Sequence, residues 1–176
     1  MSFRAAFIGW LAALLLGLAS FVALAQRGPG AKRNAVPSRG VTPAKDAIFA
    51  RKILMNTIAE NMDEIETMLA PGGKFEVAEG REHADLISVM LMAFPHMFPP
   101  NTNQWRQGAE RDAALDTYAS PDVWENFPDF YARANAMSKV ALEAAKAPTF
   151  KEYKAKIAEL RTGCDACHAL YMKIDK

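Results

Sequence analysis

From Phe150 to Tyr171 the 176-residue chain places Phe150, Tyr153, Ile157, Leu160, Cys164, Cys167 and Tyr171 at intervals of three, four, three, four, three and four. That rhythm draws one stripe along an α-helix, whereas a strand would send alternate residues to opposite faces. It also decides where the only two cysteines stand. They lie on the inward stripe of the last helix, three apart, with His168 directly behind and Lys176 eight residues further on. Any fold for this chain must bury a helix whose inner face carries "CDACH".

The remaining chain supplies the partners for such a helix. No strand-like alternation of any length follows Thr42, and the helical period recurs. Thr42-Pro43 opens a first helix with a cap and a proline at N1. Ile48, Met55, Ile58, Met62, Ile65 and Leu69 form its stripe, and Pro71-Gly72-Gly73 ends it. A second helix is expected from Glu79 to Phe94, with Leu86, Val89, Met90 and Ala93 inward. The longest connection, Phe94 to Ser120, holds Pro95, Pro99-Pro100 and Gly108, with a helical turn expected around Arg111 to Thr117. Ser120-Pro121 then repeats the cap-plus-proline opening of a third helix. Its face is Trp124, Phe127, Tyr131, Ala134, Met137, Ala141 and Ala145. Pro128 falls past the first turn, which demands a kink or a later start. Thr149 and Glu152 form a capping box for the fourth helix. Four amphipathic helices with short outer links and one long crossing connection predict an all-α, antiparallel up-down-up-down four-helix bundle.

The N-terminal part reads differently. Arg4 is the one charge before an apolar run from Ala5 to Ala25, and Ala23-Leu24-Ala25 has the small-x-small pattern of a cleavage site. Residues 1–25 therefore read as a secretory signal, the alternative being an uncleaved membrane anchor. Either way the domain lies outside the cytoplasm, with the periplasm as the expected compartment. Residues 26–42 carry Arg27, Lys32, Arg33 and Arg39 with no acid, among glycines and prolines, and read as a flexible basic tether. Residues 43–176 read as the bundle domain. No basic tract with interleaved aromatics suggests nucleic acid.

Four chemistries use a Cys-x-x-Cys pair. A redox dithiol wants the motif at the start of a helix after a strand, and no strand precedes this one. A structural zinc site needs four ligands, and there is no second Cys or His pair at suitable spacing. A disulfide across mid-helix would be strained. The fourth, C-x-x-C-H as a covalent haem attachment site, accounts for every residue type. Two thiols on one helical face add to the two vinyl groups along one side of a porphyrin. The following histidine then supplies a neutral imidazole under the iron. The expected cofactor is one covalent haem c, attached at Cys164 and Cys167, with His168 as axial ligand.

On these residues the chain resembles the class II c-type cytochromes, the cytochrome c′ group and its six-coordinate low-spin relatives. "RKILMNTIAENM", "FPHMFPPNTN", "ASPDVW" and "CDACHALY" occur in the family's order, and the resemblance spans about Pro43 to Lys173. Departures are Pro128, the basic tether, and Met172-Lys173 where an arginine often follows the motif's tyrosine. The resemblance implies that the residue matching Met55 decides the sixth iron position. An apolar side chain there leaves the iron open; a methionine binds it. The opening helix is also similar to that of non-covalent b-type bundle cytochromes, whose methionine ligand aligns with Met55. Met55 lies about 18 Å of rise into the first helix and His168 about 12 Å from the chain's end, so antiparallel helices bring them to one level within about a turn. A methionine on a core stripe also serves simply as packing. Arg51, one turn earlier, is the candidate for a charge-assisted bond to a haem propionate, or else an exposed surface arginine. His83 is expected in solvent, and His96 is a weaker ligand candidate.

The functional expectation is a non-enzymatic carrier of single electrons between redox partner proteins, its iron held by His168 and Met55. The alternative is a five-coordinate, cytochrome c′-like protein that binds nitric oxide or carbon monoxide. A peroxidase would need a distal acid-base residue, which the first helix does not offer. Lys151, Lys154, Lys156 and Lys173 are candidates for a docking surface. A homodimer through the first two helices is compatible with the pattern, and membrane contact requires an uncleaved N-terminal segment.

Overall fold

The structure is a computed structural model that describes residues 43–108 and 117–173. The expected signal segment, the tether and nearly all of the turn expected around Arg111 to Thr117 lie outside the described residues. Within them run α1 (Pro43–Leu69), α2 (Val77–Ala93), two 3-10 turns (Phe94–Met97 and Pro100–Thr102), α3 (Asp122–Glu125), α4 (Phe127–Lys146) and α5 (Phe150–Tyr171). α1, α2, α4 and α5 make the antiparallel four-helix bundle. Among the described residues no helix is long and apolar enough to cross a membrane.

Local chemistry sets the boundaries. α1 begins at Pro43 and ends before Gly72, whose φ of +82° turns the chain where a side chain would be strained. α5 is capped by Thr149, whose Oγ1 accepts from Glu152 N at 3.2 Å. The second half of the expected box differs: the Thr149 hydroxyl donates to the Glu152 carboxylate at 3.0 Å. Pro128 breaks the third helical segment in two. α3 is a single turn that Ser120 does not cap, Asn126 leaves helical geometry, and α4 restarts with Pro128 in its first turn, where its missing N–H costs nothing.

Two faces differ from the sequence expectation. α2 starts at Val77 and turns Gly80, Ala84, Ile87, Ser88 and Leu91 inward, leaving Leu86 and Val89 about half exposed. Its second half is apolar nearly all round, so periodicity could not choose the face. Small residues a turn earlier choose it. A Cβ on Gly80 would stand 3.0 Å from Tyr153 Oη of α5 and closer still to Phe75, so only glycine admits both rings. On α4, Phe130 is buried and Tyr131 is exposed, because the break at Asn126 resets the helical phase after Trp124. Phe150, at the edge of α5, is also exposed.

Close backbone packing joins α1 to α2, α2 to α4 and α4 to α5. The fourth seam, between α1 and α5, lacks comparable close approach. Ile58, Met62, Ile65, Ala84, Ile87, Ala141, Ala144, Tyr153, Ile157 and Leu160 form the main core. A second cluster of Phe98, Val123, Phe130 and Tyr171 sits at the end of the bundle where α5 finishes. The two are separated by a cavity.

Candidate functional site

The cavity of about 320 Å³ opens along the wide α1–α5 seam. Met55, Ile58, Met62 and Leu91 line it from the main core; Phe98, Val123, Phe130 and Tyr171 line it from the terminal cluster. The cysteines straddle that division. Cys164 packs against the main core and Cys167 against the terminal cluster, both half-buried and with free thiols. All five residues singled out in the sequence (Arg51, Met55, Cys164, Cys167 and His168) line this one space. His83 and His96 do not. His83 is half-buried rather than solvated, its Nδ1 2.8 Å from Asn61 Oδ1, and His96 is exposed, edge-on to Tyr131.

Burial governs the protonation of the trio on α5. It pushes both thiols up, Cys167 to about 11 with the neighbouring Cys164 adding to the rise. Both are therefore neutral thiols near pH 7, the opposite of the activated thiolate of a redox dithiol. Burial also holds the His168 imidazole below its ordinary value, although Asp165 opposes this. A neutral imidazole keeps the lone pair that a metal requires.

Arg51 is the residue whose position sequence reasoning understood least. It is not an exposed surface arginine: only 4% of its surface is accessible. Its guanidinium donates to Thr102 Oγ1 at 2.9 Å, to Thr102 O at 3.3 Å and to Thr117 Oγ1 at 2.6 Å. Phe98 and Trp124 lie under it at 4.6 and 5.5 Å. Among the described residues only neutral acceptors meet it, and desolvation lowers its pKa to about 10. A buried cation without a counter-ion is costly unless an anion completes the site. The cavity's other lining cations are Lys52, Arg133 and Arg161, and among the described residues no carboxylate lines it. Apolar walls, two thiols, a neutral imidazole, a thioether and a buried cation fit an apolar macrocycle that ends in carboxylates. The residues fit haem.

Several contributors escaped the sequence reading. Tyr171 Oη donates to Asp129 Oδ2 at 2.5 Å, and Arg133 Nε donates to the same oxygen at 2.6 Å, tying the end of α5 to α4. Arg161 pairs with Glu66 at 2.6 Å across the α1–α5 seam. The segment before α3 also holds the end of α5. Ser120 N donates to Tyr171 O at 2.9 Å and Lys173 N to Tyr118 O at 2.8 Å, a short bridge whose residues Tyr118, Ala119, Tyr171 and Met172 line the cavity. Two of the four candidate docking lysines are ion-paired. Lys156 is ion-paired with Glu143 and Glu159, and Lys173 with Asp122. Lys151 stands about 20 Å of helix from Cys164.

A family model described as Cytochrome C′ matches residues 46–172. A cytochrome c-556 from Agrobacterium fabrum is 28% identical over 137 residues, covering 75% of this chain and 84% of the relative. A cytochrome c-554 from Cereibacter sphaeroides is 23% identical over 131 residues, 73% of this chain and 81% of the relative. The crystal structure of cytochrome c′ from Thermochromatium tepidum superposes with a TM-score of 0.65 at 21% identity, covering 76% of this chain and 98% of that one.

Proposed function

The chain belongs to the cytochrome c′ family of class II c-type cytochromes, with one covalently bound haem c, and on that premise we propose that it is an exported, periplasmic carrier of single electrons. Cys164 and Cys167 would hold the haem covalently, and His168 and Met55 would ligate its iron. The observation that carries this reading is the placement of Met55. It lines the same cavity as His168, from the helix on the opposite side of the open seam, and is only half-buried in a chain whose Met62 is fully packed.

When bound, the haem supplies an iron that exchanges one electron. The chain's own residues do the rest. His168, held neutral by burial, would offer its lone pair to the iron, and a Met55 thioether there would favour the reduced state. Arg51, fixed by Thr102 and Thr117, holds a propionate. The aromatic cluster under it excludes water. In this reading residues 1–25 serve as the export signal and residues 26–42 link it to the haem domain of residues 43–176. Dimerisation through α1 and α2 belongs to the same reading, because Phe49 and Ile53 of α1 and Leu86, Val89 and Met92 of α2 stay exposed.

A second reading rests on the contact that Met55 makes with the main core. If Met55 only packs, the iron is open in an apolar pocket and binds nitric oxide or carbon monoxide. Visible and near-infrared absorption of the haem-loaded protein, with and without carbon monoxide, separates the two. The carrier gives a low-spin spectrum with a methionine-to-iron charge-transfer band that carbon monoxide leaves unmoved. Met55→Ala should then open the site and make it respond. A high-spin wild-type spectrum that carbon monoxide shifts would establish the gas-binding reading instead.

A further inference from the structure

Gly163 stands inside α5, immediately before Cys164, where glycine is a poor helix residue. Its backbone gives no conformational reason: among the described residues only Gly72 and Gly108 have positive φ. The reason is space. A Cβ built on Gly163 would fall within the radius of Met137 Sδ, with Met137 Cγ and Cε each 2.9 Å away. The thioether end of Met137, reaching over from α4, therefore lies in a notch that only glycine leaves open. Both residues line the cavity beside Cys164, and Met137 and Cys164 pack against the same core.

We propose that Met137, seated in the Gly163 notch, forms the wall against the haem edge at Cys164 and tunes the reduction potential there. The inference rests on haem attachment at Cys164. An unbranched, polarisable thioether fills an irregular gap better than a branched side chain, and it keeps water off the macrocycle edge. Lower local polarity disfavours the more highly charged ferric state, so the seat raises the potential. Gly163 acts through Met137. A methyl group at position 163 drives that thioether out of its notch, toward the cavity.

The test uses the haem-loaded protein and four variants: Met137→Ala, Met137→Leu, Gly163→Ala and the double variant Met137→Ala/Gly163→Ala. Covalent haem on each chain is measured first by mass, then the reduction potential and the thermal unfolding midpoint. Met137→Ala should shift the ferric-to-ferrous ratio, poised against one mediator, several-fold toward ferric. Met137→Leu should fall between Met137→Ala and the wild type. Gly163→Ala should lower both the potential and the midpoint when Met137 is present. In the Met137→Ala background it should instead raise the midpoint, because alanine then contributes only its better helix propensity. That reversal of sign is what helix propensity alone cannot produce. Attached haem with a potential unmoved by Met137→Ala overturns the inference, as does a Gly163→Ala midpoint that rises in both backgrounds. Should Gly163→Ala fail to fold, the two Met137 variants decide it. A wild-type chain without haem on Cys164 overturns the proposed function itself, and the seat with it.

Discussion

The two halves of the bundle use the same helix differently. Toward the start of α5, the stripe of Tyr153, Ile157 and Leu160 meets Ile65, Ala84, Ile87 and Ala144 in one buried hydrophobic core. Toward its end, the same stripe continues as Cys164, Cys167 and Tyr171, and α1 no longer fills the gap opposite. The closed half even admits a polar link, Tyr153 Oη to Gly80 O at 2.7 Å, that stitches α5 to α2. The open half holds a buried guanidinium whose partners among the described residues are neutral. One half is a finished core; the other is a core with its central piece left for the cofactor.

The largest effect should come from removing that piece. In the double variant Cys164→Ser/Cys167→Ser, covalent attachment is lost, and once the chain is purified free of haem the open half has nothing to pack around. Hydrogen exchange should then accelerate strongly from Arg51 to Met55 and from Cys164 to Tyr171, while Ile65, Ile157 and Leu160 stay protected. Uniform acceleration along both halves would erase the distinction. The converse break is Leu160→Ala, which removes a fully buried side chain from the closed half. It should cost about 2–5 kcal/mol in chemical denaturation and leave the haem spectrum unchanged.

How far the sequence revealed each half follows from what fills it. The stripes of α1 and α5 were legible because each alternates with charged residues, so Ile48, Ile58, Met62 and Ile65 fell where periodicity placed them. The inner face of α2 was not, because an apolar run from Leu86 to Ala93 offers more than one stripe, and small residues a turn earlier decide between them. At the site, the motif fixed the cysteines and His168 in one place, and helix level brought Met55 there. The partners of Arg51 come from loops, at Thr102 and Thr117, where no period exists to read. Gly163 did carry a signal, a glycine inside a strongly helical pattern, whose explanation lies in a side chain from another helix.

Arg51 offers a smaller, sign-dependent test of the same contrast. Arg51→Met keeps the length of the side chain and removes the charge. In the haem-loaded protein it should cost roughly 1.5–3 kcal/mol, the range for a hydrogen bond to a charged group. In the haem-free Cys164→Ser/Cys167→Ser background the same change removes a buried cation that has no carboxylate among the described residues, and stability should hold or rise. Equal losses in both backgrounds would mean that the guanidinium belongs to the protein's own hydrogen bonding and not to a propionate.

The smallest effect concerns pH. Burial lowers the folded-state pKa of His168, so the folded, haem-free chain holds its imidazole neutral where the unfolded chain binds a proton. Stability contributed by that neutral form is complete above the ordinary histidine value of about 6.5 and declines as pH falls through it, because the unfolded state then takes up more protons. Denaturation of the Cys164→Ser/Cys167→Ser variant at a series of pH values between about 8 and 5 should show this decline, and adding His168→Gln should flatten it. In the haem-loaded protein the iron occupies the lone pair that the proton would take, so the decline should be absent there and His168→Gln should instead change the spectrum. A slope that survives His168→Gln in the haem-free chain would assign the titration to another group.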